Sequence, residues 1–302
     1  MPIRVIFGAN HSHLNPDYGE IHLATPLLEG AGQEVICAGS VDVFERSEEH
    51  FVSESNGWLV YASSVPVNGP LADCAEDLYH QLFRCLDGSE IVRIWNFVPA
   101  INEVVDGLEN YRAFCFGRHE AFVAKFGGRA FDSFCAASAV GVNDNQLTVF
   151  AMATHRRAHH LENPLQSPAY RYPERYGPRP PSFSRSSYVA GESPALYISG
   201  TAAVRGSDSI ALGDLAGQLE VTGENLDRII AESVAALGGD ITHVGSAIGR
   251  AYVRRPEDAS TVMACIREHA WCTADRFNIV HSDICREELL VEIELSWPAA
   301  LA

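Results

Sequence analysis

Residues 289–297 run LLVEIELSW, and how this stretch folds decides the architecture of the chain. Side chains alternate across a strand, so Leu289, Val291, Ile293, Leu295 and Trp297 share one face while Leu290, Glu292, Glu294 and Ser296 share the other. The first face is apolar and must cover a core. The second carries two carboxylates, which an antiparallel sheet ordinarily turns to solvent. The alternative is a pocket in which burial raises one carboxyl toward neutrality and makes it a general acid. The pattern alone leaves both readings open.

Working back from this strand, periodicity predicts a strand at 276–284, a helix at 260–270, a strand at 244–254, a helix at 214–237 and a strand at 195–204. The order is β-α-β-α-β-β. The same order is predicted earlier, with strands at 58–63, 91–99, 133–142 and 147–153 and helices at 72–86 and 109–126. In the first of these helices Ala75, Leu78, Tyr79, Leu82, Phe83 and Leu86 recur at three- and four-residue spacings, and Gly127–Gly128 stops the second. The repeat is one of element order and not of residue identity. It predicts an α+β protein of two similar domains, 1–160 and 195–302, each a mixed β-sheet with helices packed on one face.

The connection at 161–194 (LENPLQSPAYRYPERYGPRPPSFSRSSYVAGESP) holds seven prolines, so neither helix nor central strand is expected there. A loop of this length is usually functional or disordered, and the tyrosines and arginines argue against a plain disordered linker. Arginines at 156, 157, 171, 175, 179 and 185 face only Glu162 and Glu174, a local positive excess. The segment is either an ordered lining of a ligand site or an interdomain strap with solvated arginines.

The local excess stands out because the 302-residue, 32.9 kDa chain carries 39 acidic and 22 basic side chains, for a net charge of −17 and a pI near 5.0. Nucleic acid, which demands a basic face, is not an expected partner. Lys125 is the only lysine; the other 21 basic residues are arginines, whose planar fork suits carboxylates. A small anionic substrate fits this composition. The apolar N-terminal run is interrupted within a few residues by Asn10, His11 and Asp17 and resembles neither a signal peptide nor an anchor. No window approaches the roughly 18 apolar residues that span a bilayer, so a cytoplasmic protein away from membranes is expected. Eight cysteines stand scattered, none in CxxC, as small buried hydrophobes would in a reducing compartment. His155 and His159 lie four apart, yet HExxH and zinc-spaced Cys/His arrays are missing, so a metal is not expected; phosphate loops and the Gly-x-Ser-x-Gly elbow are missing too, which leaves a Ser-His-Asp hydrolase unsupported.

Several stretches are similar to known sequences. LYISGTAAV (196–204), GDLAGQLEVTGENLDRII (213–230), YVRRPED (252–258) and the closing LLVEIELSW resemble the RidA/YjgF-type domain, which has a chorismate-mutase-like fold. RIWNFVPAIN (93–102), ENYRAFCFGRHEAF (109–122), RYGPRPPSFSRS (175–186) and SDICREELLVEIE (282–294) together resemble the chorismatase family, whose members pair a RidA-like C-terminal domain with a related N-terminal one. The resemblance implies a cofactor-free enzyme that removes the enolpyruvyl side chain of chorismate as pyruvate. It implies that Glu292, seven residues after Cys285, is the general acid, and that Arg118, Tyr176, Arg179 and Arg185 hold the two substrate carboxylates. Gly200 beside Thr201, together with Cys285, matches members that make 3-hydroxybenzoate. Members that hydrolyse tend to carry Ala and Val instead. Glu294 is expected to be structural or to lie behind the site. Two fused domains can build within one chain the interface that RidA trimers build between chains, so a monomer is expected. Other outcomes are 4-hydroxybenzoate, alone or mixed, the dihydrodiol acid, a RidA-like imine deaminase relying on Arg286, or a metabolite-binding module without catalysis.

Overall fold

The computed structural model describes residues 2–39, 42–47, 49–191, 194–239, 247–269, 271 and 273–298. Short strands come first: β1 (Ile3–Phe7), β2 (His13–Asn15), β3 (Glu20–Leu23), β4 (Leu27–Glu29), β5 (Gln33–Cys37), β6 (Asp42–Arg46) and β7 (His50–Ser55). Next come β8 (Trp58–Pro66), α1 (Leu71–Cys85), β9 (Glu90–Pro99), the small hairpin β10 (Val104–Val105) and β11 (Leu108–Glu109), α2 (Asn110–Phe126), β12 (Ala136–Val142) and β13 (Gln146–Thr154). Strands β14 (Ala158–Leu161) and β15 (Ser186–Val189) flank the proline-rich stretch. The last part is β16 (Ala195–Thr201), β17 (Val204–Arg205), β18 (Asp208–Ser209), α3 (Leu215–Ala236), β19 (Ile248–Val253), α4 (Ala259–His269), β20 (Phe277–His281) and β21 (Val291–Trp297).

The repeated element order is present, and it extends to space. One sheet contains β12-β9-β13-β8 and the other β20-β19-β21-β16. In each, the first pair is parallel and the next two are antiparallel. Helices cover the outer faces. On the first sheet Leu78, Tyr79, Phe83, Phe114 and Phe122 of α1 and α2 pack on Tyr61, Ile94 and Val149; on the second, Leu226, Ile229, Val262 and Ile266 of α3 and α4 pack on Ile198, Ile279 and Ile293. Each buried side chain of this size stabilises by roughly 1.5–3 kcal/mol. The inner faces meet each other, with Trp95, Phe97 and Phe150 against Tyr197, Tyr252 and Val280. The chain is therefore a four-layer α+β structure with its two sheets back to back.

The α1–α2 crossing depends on Gly117, where a Cβ would lie 2.8 Å from the Ala72 carbonyl carbon and 3.0 Å from the Glu76 nitrogen. This close approach sets where the next residue, Arg118, emerges.

Three features depart from the sequence reading. Strands β1 to β7 precede residue 58, where none was predicted. They are short runs broken by glycine and proline: β1, β2, β3 and β5 form a separate sheet, β7 and β6 extend the first sheet beyond β8, and β4 crosses to pair with β20 of the second sheet. Next, β15 is a central strand inside the 161–194 segment, paired on both sides with all four residues buried. The proline run ends at Pro181, before the strand needs its backbone donors. Finally, β21 begins at Val291, and Leu289 packs between the sheets instead of joining Val291, Ile293 and Leu295 under the helices. Part of the strand predicted at 244–254 lies outside the described residues; the strand is seen from Ile248. Among the described residues no helix is long and apolar enough to cross a membrane.

Candidate active site

Glu292 and Glu294 point into the space between the sheets, each at most 4% exposed, so the solvent-facing reading of their strand face does not hold. Their surroundings differ. Glu294 accepts from Arg93 Nη2 at 2.7 Å, Trp95 Nε1 at 2.8 Å, Ser138 Oγ at 2.5 Å and Tyr252 Oη at 3.2 Å, and Arg250 Nη1 lies 3.3 Å away. Burial works against its charge, but Arg250, Arg93 and these donors outweigh burial and hold the carboxyl below the usual range. Among the described residues Glu292 has one weak donor, the Cys285 thiol at 3.9 Å. Burial and the charge of Glu294 prevail over Arg93, Arg185 and that thiol, pushing Glu292 up to about 8. One strand face thus presents an ionised carboxylate beside a protonated one.

Glu292 faces a cavity of about 370 Å³ walled by both sheets, α2, the proline-rich connection and the 285–289 loop. Strand β16 supplies Gly200, at a point where its register with β21 slips between Ile198 and Thr201. Bulges of this kind recur beside active sites because they re-aim the chain. A Cβ at Gly200 would overlap the Glu292 carboxylate, with Cδ at 2.6 Å, and would come within 2.9 Å of Ser138 Oγ. The absent side chain is what admits the acid. Gly200 N also donates to Ser138 Oγ at 2.9 Å, tying β16 to β12.

Arginines meet Glu292 in this cavity. Arg118, on α2, is 3% exposed and lies over the rings of Tyr79 and Phe122, and its Nε and Nη2 have no hydrogen-bond partner among the described residues. A buried, unpaired guanidinium lining a cavity is a ready receptor for a carboxylate. Arg185 donates to Tyr172 Oη at 2.6 Å and Ser167 O at 3.1 Å, leaving its buried Nε free among the described residues. Tyr176 lines the cavity as well, its hydroxyl bonded to Asp208.

Of the residues expected from the sequence, Glu292, Arg118, Tyr176, Arg185, Gly200 and Cys285 all line the cavity. Arg179 does not: its Nε binds Glu120 at 2.7 Å and its side chain is half exposed. Thr201 is buried behind the site, its hydroxyl donating to Ser199 O at 2.8 Å. Arg286, which the sequence reading named only for the imine-deaminase alternative, also lines the cavity; its guanidinium lies 4.0 Å from the centre of the Tyr176 ring and donates to Ser207 O and Ser209 Oγ. Sequence reasoning missed Ser138 and Arg93, which no local motif marks as partners of a strand some 150 to 200 residues away. The Cys285 thiol is pushed far up by burial and is a neutral donor, not a nucleophile. Away from the cavity, Glu45, His50 and Cys85 bring candidate metal-ligand atoms within 4.8 Å of one another.

A family model described as "Chorismatase FkbO/Hyg5-like, N-terminal" matches residues 34–153. A Streptomyces hygroscopicus protein named 3-hydroxybenzoate synthase is 34% identical over 288 residues, covering 91% of this chain and 84% of its own length. The chain belongs to the chorismatase family. A chorismatase of Streptomyces rapamycinicus is 36% identical over 253 residues, covering 78% of this chain and 73% of its own. Among solved structures, a crystal structure of a chorismatase at 1.08 Å superposes with a TM-score of 0.82 at 28% identity, covering 99% of this chain and 92% of that one. The back-to-back sheets and the cavity between them are therefore to be understood as a chorismatase scaffold.

Proposed function

We propose that the protein converts chorismate to 3-hydroxybenzoate and pyruvate, with Glu292 as the general acid. The observation that carries this reading is a buried, protonated glutamate facing a cavity that also holds two buried arginines with unpaired nitrogens. A relative named 3-hydroxybenzoate synthase, matched over most of both chains, supports the choice of product.

The slow step for an enol ether is protonation of its methylene carbon, which needs a fixed acid still carrying its proton at working pH. Glu292 meets both conditions. Its proton goes to the methylene carbon and leaves an oxocarbenium ion on the former enolpyruvyl group. The neighbouring ring hydroxyl then attacks the ring carbon bearing the ether oxygen, that carbon–oxygen bond breaks, and its electron pair becomes the carbonyl of pyruvate. The hydroxyl proton released balances the one Glu292 gave. The resulting arene-oxide-like ring opens and aromatises to 3-hydroxybenzoate, with no water consumed. Arg118 and Arg185 take the substrate carboxylates, and Tyr176 closes the wall beside Arg286. Gly200 and Cys285 set the position and surroundings of the acid. All these residues come from one chain, consistent with a catalytic monomer.

Incubation with chorismate, enzymatic assay of pyruvate and chromatography of the aromatic product test the proposal. Equimolar pyruvate and 3-hydroxybenzoate are expected. Absence of pyruvate overturns the activity, and a dihydrodiol or 4-hydroxybenzoate product overturns the reading of Gly200 and Cys285.

A further inference from the structure

The hydrogen bonds of Glu294 exceed what a strand needs to pack. Its oxygens collect donors from β9 (Arg93, Trp95), β12 (Ser138) and β19 (Tyr252), with Arg250 of β19 close by. Arg250 is itself shared with Glu34 of β5. Buried carboxylates this well supplied stay ionised, because each donor favours the charged form. Glu292, two residues along on the same face, has no such supply. The charged or titratable groups that bear most on Glu292 are Glu294 from its own strand, Arg93 from β9, Arg185 from the connection and Cys285 from the loop before β21; Arg118 of α2 and Arg286 and Glu288 of that loop share its cavity.

We infer that Glu294 is a positioning residue for the reaction: held as an anion by Arg93 and Arg250, it keeps the proton on Glu292. This rests on the reading of Glu292 as the acid. It assigns the second glutamate of the closing strand a part in the chemistry, although it does not line the cavity. Two like charges close together in a poorly screened interior resist ionising together, so the one with more donors takes the charge and the other retains its proton. The same anion, through Ser138, fixes the Gly200 backbone against which the Glu292 carboxylate rests.

The test follows the Glu292 carboxyl by carbon-13 NMR in protein labelled with 13C-glutamate, its resonance assigned by its absence in Glu292→Gln. The wild-type midpoint is expected near 8. In Glu294→Gln it falls by about one pH unit or more, as expected on removing a nearby buried charge. Glu294→Asp keeps the charge and stays near the wild-type value. The high-pH limb of kcat/KM moves with the NMR midpoint. Should Glu294→Gln fail to fold because Arg93 is left unpaired, Arg93→Met/Glu294→Gln removes the pair together. Its midpoint still falls, since the repulsion from Glu294 outweighs the attraction of Arg93. An unchanged midpoint in the folded Gln variant or the double variant overturns the inference, as does an equal fall in the Asp variant. If wild-type protein consumes chorismate while the titration ignores Glu294, this inference fails and the proposed function stands. If the titration responds but chorismate is untouched, the coupling of the two glutamates stands, while the proposed function and the part of Glu294 in that reaction are overturned.

Discussion

Glu292 and Glu294 are the same residue type on the same strand face, two positions apart, and both are buried. At one, the first sheet sends an arginine, an indole and a serine hydroxyl to meet the carboxylate; at the other it withdraws and leaves a cavity. The first glutamate to be supplied with donors becomes a fixed anion, and the other becomes an acid. What separates the ionised carboxylate from the protonated one here is the inner face of the opposite sheet.

The comparison breaks most completely when Glu292 loses its proton. Glu292→Gln should lower pyruvate release by roughly 10²–10⁴-fold, the usual worth of a positioned general acid. The same change should alter stability in a defined direction. A carboxyl raised from 4.5 to about 8 on folding retains a proton that the unfolded chain has lost, so wild-type stability declines as pH rises through that window. The Gln variant lacks this decline and should be the more stable form at pH 8 by roughly a few kcal/mol, measured by urea midpoints at pH 5 and pH 8.

Removing the substrate's counter-charge should act on binding. Arg118→Leu is expected to raise KM by roughly 10- to 100-fold, the loss of a charge-assisted bond, with a smaller effect on kcat. Steady-state kinetics checks the split. Gly200→Ala sharpens the comparison from the acid's own side: the added methyl overlaps the Glu292 carboxylate and forces it to move. Turnover should fall by roughly tenfold or more, and the product mixture should change on chromatography, since small misplacements of a reacting group are felt strongly. Arg179→Ala should matter least. Its partner is Glu120 at the surface, so less than a roughly twofold change in kcat/KM is expected, in line with the small worth of exposed ion pairs.

Sequence legibility followed the range of the interactions. The repeated β-α-β-α-β-β order was visible because α1, α2, β9 and β21 are long and periodic, and a local pattern suffices to fix them. Strands β1 to β7 are mostly three to five residues long, too short for a periodic window to mark them, and β4 in addition gains its hydrogen bonds from the distant β20. The convergence of Glu292, Arg118, Arg185, Tyr176, Gly200 and Cys285 came from family motifs. Periodicity supplied only the two glutamates on one face and left them between solvent and pocket. Arg179 shared a motif with Tyr176 but leaves the cavity after Gly177, whose φ of +134° turns the chain. Arg93 and Ser138 were invisible for the opposite reason, being ordinary strand residues until the second sheet is laid against the first.

The central claim is that Glu292 delivers the proton, and the pH dependence of pyruvate release from chorismate, in wild type beside Glu292→Gln, tests it most directly. The account predicts a wild-type kcat/KM that holds at lower pH and falls with a midpoint near 8 as Glu292 ionises, against a Gln variant with little activity at any pH. A Gln variant that turns over chorismate at the wild-type rate, or a wild-type rate that rises through pH 8, would contradict it.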